Sequence, residues 1–362
     1  MIQLRLRILR LLRTSSPAMS AATSCSPVMS LRRILIVTFI AFVVLVFGPL
    51  LVRNTHVRNA VDAISSTRIL PSLFQNGGTR SQLPTLDIVV AMYQENVTAL
   101  GEQLESIRSL SAFKDLDIRT IIYTKDQEAS TAAIRADTNA TIVRKLPNLG
   151  REGGTYLSHV LLNWDDLARH TLFIQAAVHQ PEQMIDRLQH NFNKLTGVLP
   201  LNRMESCHCR DCHDPWEEAN RFPRLAQLYS AINGELCPEE ITLTYSGQML
   251  VSAARIRRRN RDIYAHLQAV LQSDGAHWIH GDGRADWRFA DDQDNPFFGH
   301  TLERAYLVLW DCANTSILER CGRWEHFVAD AAPLDPAVPG WCQCLDGVEP
   351  QRRGVVRVAL ER

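Results

Sequence analysis

Apolar residues in the distal part of this chain form short runs that alternate with amphipathic stretches. Leu86 to Met92 is compact and apolar, as a buried strand would be, and Ala99 to Leu110 repeats Leu100, Leu104, Ile107 and Leu110 at helical spacing. Ile118 to Tyr123 predicts a second strand, Ala140 to Lys145 a third and Leu172 to Gln175 a fourth. Between the last two, Leu157, Val160, Leu161, Trp164 and Leu167 mark one buried helix face and leave Ser158, His159, Asn163 and Asp165 outward. Gly247 to Ser252 reads as a further strand leading into a helix that carries Ile256, Ile263 and Leu267. Alternation of this kind predicts an α/β fold: a single Rossmann-like domain over residues 85–322, with a mostly parallel sheet and crossover helices. Ligands of such sheets lie beyond the strand carboxyl ends.

The segment Leu146 to Leu157, Leu-Pro-Asn-Leu-Gly-Arg-Glu-Gly-Gly-Thr-Tyr-Leu, joins the third strand to its helix. Pro147 and Asn148 stop what precedes them, Gly150, Gly153 and Gly154 permit close approach or positive φ, and Thr155 is placed to cap the helix. One reading is a binding loop whose backbone amides face an anion. The other is a tight connection in which Arg151 and Glu152 pair with each other.

Together with Leu172-Phe173-Ile174-Gln175, Gly247-Gln248-Met249-Leu250-Val251-Ser252 and Arg255-Ile256 followed by Arg259, this motif resembles a largely fungal domain family of unknown function, from about Leu86 to Trp310. The family has Gly and Pro after the glutamine, where this chain has Ala176, Ala177, Val178 and His179. The layout also resembles the nucleotide-sugar-binding half of inverting glycosyltransferases of the Rossmann-like (glycosyltransferase-A-like) class. There, a Tyr-Asn-Glu-like turn ends the first strand, Asn-x-Gly opens a helix and Asp-x-Asp ends the following strand. Tyr93-Gln94-Glu95, Asn148-Leu149-Gly150 and Phe173-Ile174-Gln175 stand in that order here. The resemblance implies a nucleotide-sugar donor, an unidentified acceptor and a divalent cation, Mn or Mg, although Gln175 lacks the carboxylate that holds one. It also implies donor contacts from Asn148, Gly150, Arg151, Glu152, Gly153, Tyr156 and Gln175, with Arg151 and Tyr156 on diphosphate or sugar. Phe297 to Arg304 resembles the segment that places a carboxylate base, which makes Glu303 the candidate to deprotonate the acceptor. A non-catalytic binding protein on the same scaffold, or an enzyme tailoring a small metabolite, are the alternatives.

An apolar fraction of 46% with 22% charged residues is that of a globular protein. Ile34 to Val52 carries no charge and is long enough to cross a bilayer. Six Arg precede it against Arg53 and Arg58 just after, so a basic cytosolic tail (1–33), a signal-anchor (34–52) and a stem (53–84) are expected, in a type II orientation in the Golgi or endoplasmic reticulum. The Arg-rich, acid-free leader also suits a mitochondrial presequence. Sequons at Asn96, Asn139 and Asn314 favour the secretory route. Eight Arg lie in the first 61 residues and every Asp and Glu lies beyond them, so the distal part is acidic, which argues against nucleic acid as its partner.

His159 and His179 are expected to approach a common cleft, His159 as a catalytic candidate. Asp291, Asp292 and Asp294, with Asp282 and Asp286, offer oxygen ligands for a hard cation but read more simply as an exposed acidic loop. Arg255 to Arg261 reads as a solvated helix face. Eight cysteines follow the span, Cys207, Cys209, Cys212, Cys237, Cys312, Cys321, Cys342 and Cys344, while Cys25 precedes it. Disulfides are the expectation, with a zinc knuckle at Cys209 and Cys212 or a haem-type Cys209 to His213 motif as alternatives. The eight allow about 105 pairings. Cys342 and Cys344 would staple a C-terminal tail (323–362) to the domain.

Overall fold

The computed structural model describes residues 84–281, 291–321 and 342–347. The expected tail, signal-anchor and stem therefore lie outside the described residues, as do Cys25, Asp282 and Asp286. Among the described residues no helix is long and apolar enough to cross a membrane.

A seven-stranded sheet forms the centre, in the order β11-β5-β10-β4-β1-β2-β3. β1 (Leu86–Met92), β2 (Ile118–Thr124), β3 (Ile142–Lys145) and β4 (His170–Gln175) are mutually parallel. β10 (Met249–Ser252) runs antiparallel between β4 and β5 (Thr196–Pro200), and β11 (Cys344–Leu345) closes the β5 edge antiparallel. The expected α/β architecture with a mostly parallel sheet is present. Every residue of β1 is buried, as a central strand covered on both faces must be. The chain leaves β1 for β2 and β3 on one side and returns to β4 on the other, so the strand order reverses between β1 and β4. In open α/β sheets that point is where the carboxyl ends leave a crevice.

α1 (Val97–Arg108) follows β1, with Asn96 accepting the Ala99 amide as its cap at 3.0 Å. α2 (Thr131–Thr138) precedes β3, and α3 (Arg151–Leu162) lies between β3 and β4. α4 (Pro181–Asn191) leads to β5. A smaller all-antiparallel part follows, in which β6 (Met204–His208) pairs β9 (Glu240–Thr244) and β7 (His213–Asp214) pairs β8 (Glu217–Arg221), with α5 (Leu225–Asn233) between. α6 (Ala253–Ile256), α7 (Arg261–Leu271), α8 (Phe297–Arg304), α9 (Tyr306–Leu309) and α10 (Ser316–Cys321) complete the chain before β11.

Three expectations change. α3 begins at Arg151, so Thr155 sits inside the helix, fully buried, and does not cap it. Ser158 and His159 are buried, not outward: α7 covers Ser158, whose Oγ accepts from Gln268 at 2.7 Å, and His159 packs on the sheet against Tyr123 and Phe173. The Arg255 to Arg261 run is a solvated face only in part: Arg257, Arg258 and Arg261 are exposed, but Arg255 and Arg259 are not. Arg255 is 1% exposed and donates to the Asp311 and Leu345 carbonyls at 2.8 and 2.7 Å, while Arg259 donates to Leu309 O and Asn233 Oδ1. Residues far along the chain thus cover Arg255 and part of Arg259.

All eight distal cysteines pair, as Cys207–Cys212, Cys209–Cys237, Cys312–Cys344 and Cys321–Cys342. The thiolates that a zinc knuckle or a haem thioether would need are therefore committed. The last two bridges fasten β11 to the domain.

Candidate functional site

The carboxyl ends of the parallel strands gather most of the sequence candidates. Lys125 directly follows β2, and its ammonium donates to Leu149 O at 2.6 Å and to Arg151 O. Burial pushes its pKa down to about 8. Sequence reasoning missed this lysine, because a single Lys after a strand has no pattern to distinguish it.

The loop it straps turns sharply. Gly150 and Arg151 both take positive φ, 66° and 50°. A Cβ on Gly150 would lie 2.8 Å from Leu271 Cγ, so backbone and packing both require glycine there. Left-handed geometry at Arg151 is strained for a residue with a side chain. The amides of this loop do not stand open as an anion cradle. Gly150 N donates to Gln293 O at 2.7 Å and Arg151 N to Asp294 O at 3.2 Å. The acidic segment is thereby the partner of the glycine loop. Asp291 is not an exposed member of it, because its Oδ1 accepts from Phe297 N at 2.7 Å and contacts His280 Nδ1 at 3.1 Å. Among the described residues no group of three His, Cys, Asp or Glu side chains is placed to hold a metal.

Behind the loop lies a buried polar cluster. Glu152 is 8% exposed at its side chain and pairs with Arg151 at 3.3 Å. Arg151 reaches on to Asn295 Oδ1 at 3.1 Å and His300 Nε2 at 2.7 Å. His300 is held neutral, its pKa pushed down to about 3 by burial and by the Arg151 and Arg304 charges. Glu303 accepts from Ser246 N at 2.6 Å and from Arg304 at 2.8 Å, both on Oε1. Burial raises its pKa, Arg304 opposes that rise and Glu152 adds to it. The hydroxyls of Tyr156 and Tyr306 are buried without a hydrogen-bond partner, and both phenols are pushed well up by burial and by the Glu152 carboxylate. Gly247 borders the cluster and is required by its φ of 58°, not by space, since a Cβ there would meet Glu152 and Tyr156 at ordinary contact distances of 3.4 and 3.6 Å.

Tyr156 is 1% exposed and packs on Phe173 and Tyr306, so it cannot touch a ligand in a crevice without a rearrangement. Gly153 faces Tyr306 and Leu271. Asn148 is half-buried in the loop, and Gln175 is half-buried at the end of β4, beside exposed Tyr93 and Gln94 after β1. Gln248 clamps the segment after β4 by exchanging hydrogen bonds with the His179 backbone, at 2.8 and 3.0 Å.

His159 is not in this cluster. As the ninth residue of α3 it lies roughly 12 Å down the helix, fully buried, with Nε2 3.7 Å from Asp87 near the start of β1. Its Nδ1 contacts Tyr123 Oη at 3.2 Å. Desolvation pushes its pKa down to about 3, with Arg119 and Arg144 adding to the fall. The nearby Asp87 does not reverse this, because Arg119 already neutralises it through two 2.7 Å hydrogen bonds. His159 and His179 accordingly share no cleft.

A cavity of about 670 Å³ opens elsewhere, lined by Arg108, Thr120, Arg135 and Asn139. Asn96, Asn139 and Asn314 are all exposed.

Three solved structures show what the chain is similar to. A mannosyltransferase from Pyrobaculum calidifontis, in complex with GDP-Man and Mn2+, is 12% identical, with a TM-score of 0.29 over 64% of this chain, and the chain spans only 61% of its length. A 4-diphosphocytidyl-2C-methyl-D-erythritol synthase is 10% identical, with a TM-score of 0.28 over 51% of this chain and 85% of the other. The galactosyltransferase LgtC with donor and acceptor sugar analogues is 15% identical, with a TM-score of 0.28 over 59% of this chain and 70% of the other. Likenesses of this size carry no argument about chemistry. No curated protein matches the sequence. Residues 88–317, well over half of the chain, match the family described as protein of unknown function (DUF3431), and the chain belongs to that family.

Proposed function

We propose that the chain is a membrane-anchored, glycosyltransferase-like protein that binds a nucleotide sugar in the crevice between the ends of β1 and β4 and transfers the sugar to an acceptor hydroxyl. The observation that carries the reading is the position of Glu303, a carboxylate of raised pKa fixed by the Ser246 amide in the turn before β10, on the side of the carboxyl end of the neighbouring β4. Its Oε1 is committed to Ser246 and Arg304, so Oε2 takes the acceptor proton as the acceptor oxygen attacks the anomeric carbon and the nucleoside diphosphate departs. The side chain retains 9% exposure, which limits access to a closely fitted acceptor. Arg151, 30% exposed, is the cation offered to the diphosphate.

The described residues do not fit a divalent cation at the donor site. Gln175 ends β4 where a diphosphate-bound metal would need a carboxylate, and no trio of acidic or imidazole ligands stands in for it. No step is therefore routed through a metal. Anchoring rests on Ile34 to Val52, and a secretory location on the exposed sequons and the four disulfides.

A second reading, a non-catalytic binding protein, is favoured by the two hydrogen bonds that already occupy Glu303. Replacing Glu303 with Gln separates the two. Transfer requires that turnover of a nucleotide sugar disappear while nucleotide binding persists, and a variant that turns over like the parent would remove Glu303 from the chemistry.

A further inference from the structure

Trp216 occupies the tip of the β7–β8 hairpin, in the Asp214-Pro215-Trp216-Glu217 turn, and is 52% exposed. Its place is built rather than incidental. Its ring lies 4.9 Å from that of Tyr245, tilted by 52°, and the Arg203 guanidinium lies over the ring, 4.5 Å from its centroid. Arg203 is itself oriented by Glu205 at 2.7 Å. The hairpin beneath is held by the Cys207–Cys212 bridge and by buried Asp214, which contacts Arg304 at 3.3 Å and accepts from Asn220 at 3.2 Å.

This platform connects to the proposed base by two short routes. Arg304 lies 4.0 Å over the Tyr245 ring and donates to Glu303, and Tyr245 directly precedes Ser246, whose amide also donates to Glu303. Trp278, the other strongly exposed indole among the described residues at 61%, lies apart from these groups: its ring meets that of His277 at 5.4 Å and the Arg224 guanidinium at 5.0 Å.

We propose that Trp216, flanked by Arg203 and Glu205, is the subsite for a pyranose ring of the acceptor. An indole held at fixed tilt, with Arg203 over one side of it, offers its remaining exposed apolar surface to the C–H side of a sugar, while that guanidinium and the Glu205 carboxylate beside it meet the hydroxyls. A neutral carbohydrate is favoured over an anionic ligand because Arg203 is already paired with Glu205, so the platform has no uncommitted charge. The assignment of this sugar as the acceptor rests on the transfer reading above, but its binding to Trp216 does not.

Saturation-transfer NMR on the full chain in nanodiscs tests it, using the methyl glycosides of glucose, galactose, mannose and N-acetylglucosamine and their disaccharides as probes. At least one probe should receive saturation at its ring C–H protons. Trp216→Ala should weaken that probe at least tenfold, Trp216→Phe should recover part of the loss, and Trp278→Ala should leave binding unchanged. Binding that survives Trp216→Ala intact, or no saturation of any probe by the parent protein, overturns the subsite. Sugar binding that needs Trp216 without any nucleoside diphosphate binding upholds the subsite and removes the transfer reading. Nucleotide binding with no sugar binding does the reverse.

Discussion

Glu303 on α8 accepts the backbone N–H of Ser246 at 2.6 Å, across 57 residues, and so fixes the left-handed turn that carries the chain from β9 into β10. The same oxygen pairs with Arg304, whose second partner is Asp214. Glu303→Gln keeps an acceptor for Ser246 but leaves Arg304 with Asp214 alone. It should fold, at a cost of about 1–3 kcal/mol in urea unfolding. Glu303→Ala removes the acceptor as well and should cost more. Folding raises the Glu303 pKa, so the folded chain holds that proton more tightly than the unfolded chain. Its contribution to stability is present below the ordinary glutamate value and is lost as pH rises through the raised one. Glu303→Gln should abolish this loss, and a stability profile that keeps it would place the titration elsewhere.

His159 gives the opposite slope. Its pKa falls from 6.5 to about 3 on folding, so the unfolded chain takes up the proton first. Stability is full above pH 6.5 and declines as pH falls towards 3, by roughly 1.4 kcal/mol per pH unit for each such group. His300 titrates in the same sense. Burial lowers His170 as well, so denaturation below pH 6.5 should take up protons at all three imidazoles, and His159→Gln should remove about one of them. Because His159 lies beside Asp87 and away from Glu303, the same substitution should not abolish any turnover.

Lys125 holds two carbonyls of the glycine loop from below. Lys125→Met fills a similar volume and donates nothing, so Leu149 O and Arg151 O lose their partner. The expected cost is about 1–3 kcal/mol, with faster amide hydrogen exchange from Leu149 to Glu152. Exchange unchanged in that segment would show that the docked Gln293 and Asp294 carbonyls suffice to hold it.

Cys209–Cys237 closes the longest disulfide loop within the small antiparallel part, with a sequence separation of 28. Replacing both with Ala should cost roughly 3–4 kcal/mol on loop-closure entropy, measured by thermal or urea unfolding. Mass mapping of unreduced peptides should recover the four described pairings. Free thiols at Cys207 to Cys212 would reopen the metal reading.

The parallel half of the fold was legible because its strands are short, apolar and separated by helices with a single periodic face. Leu86 to Met92 matches β1 end for end, and the others differ by a residue or two at their ends. What failed depended on distant partners. Ser158 and His159 read as outward because nothing in their own helix announces that α7 covers the first and that the second turns onto Tyr123 and Phe173 of the sheet. Arg255 read as solvated because its acceptors, Asp311 O and Leu345 O, arrive 56 and 90 residues later. Of the glycine motif, Gly150 takes the expected positive φ, whereas Gly153 and Gly154 lie inside α3 and serve close packing. The occupation of the motif's amides by Gln293 and Asp294 is a tertiary fact with no local signal. Glu303 was reached through a resemblance, and its burial and its bond to Ser246 could come only from the structure.

Isothermal titration of the full chain with a panel of nucleoside diphosphates, in the presence and absence of Mn2+, bears most directly on the proposed site. The account requires saturable heat from at least one of them, unchanged in Glu303→Gln and independent of Mn2+, since the described residues at the end of β4 supply no carboxylate to hold it. No heat from any nucleotide would contradict it.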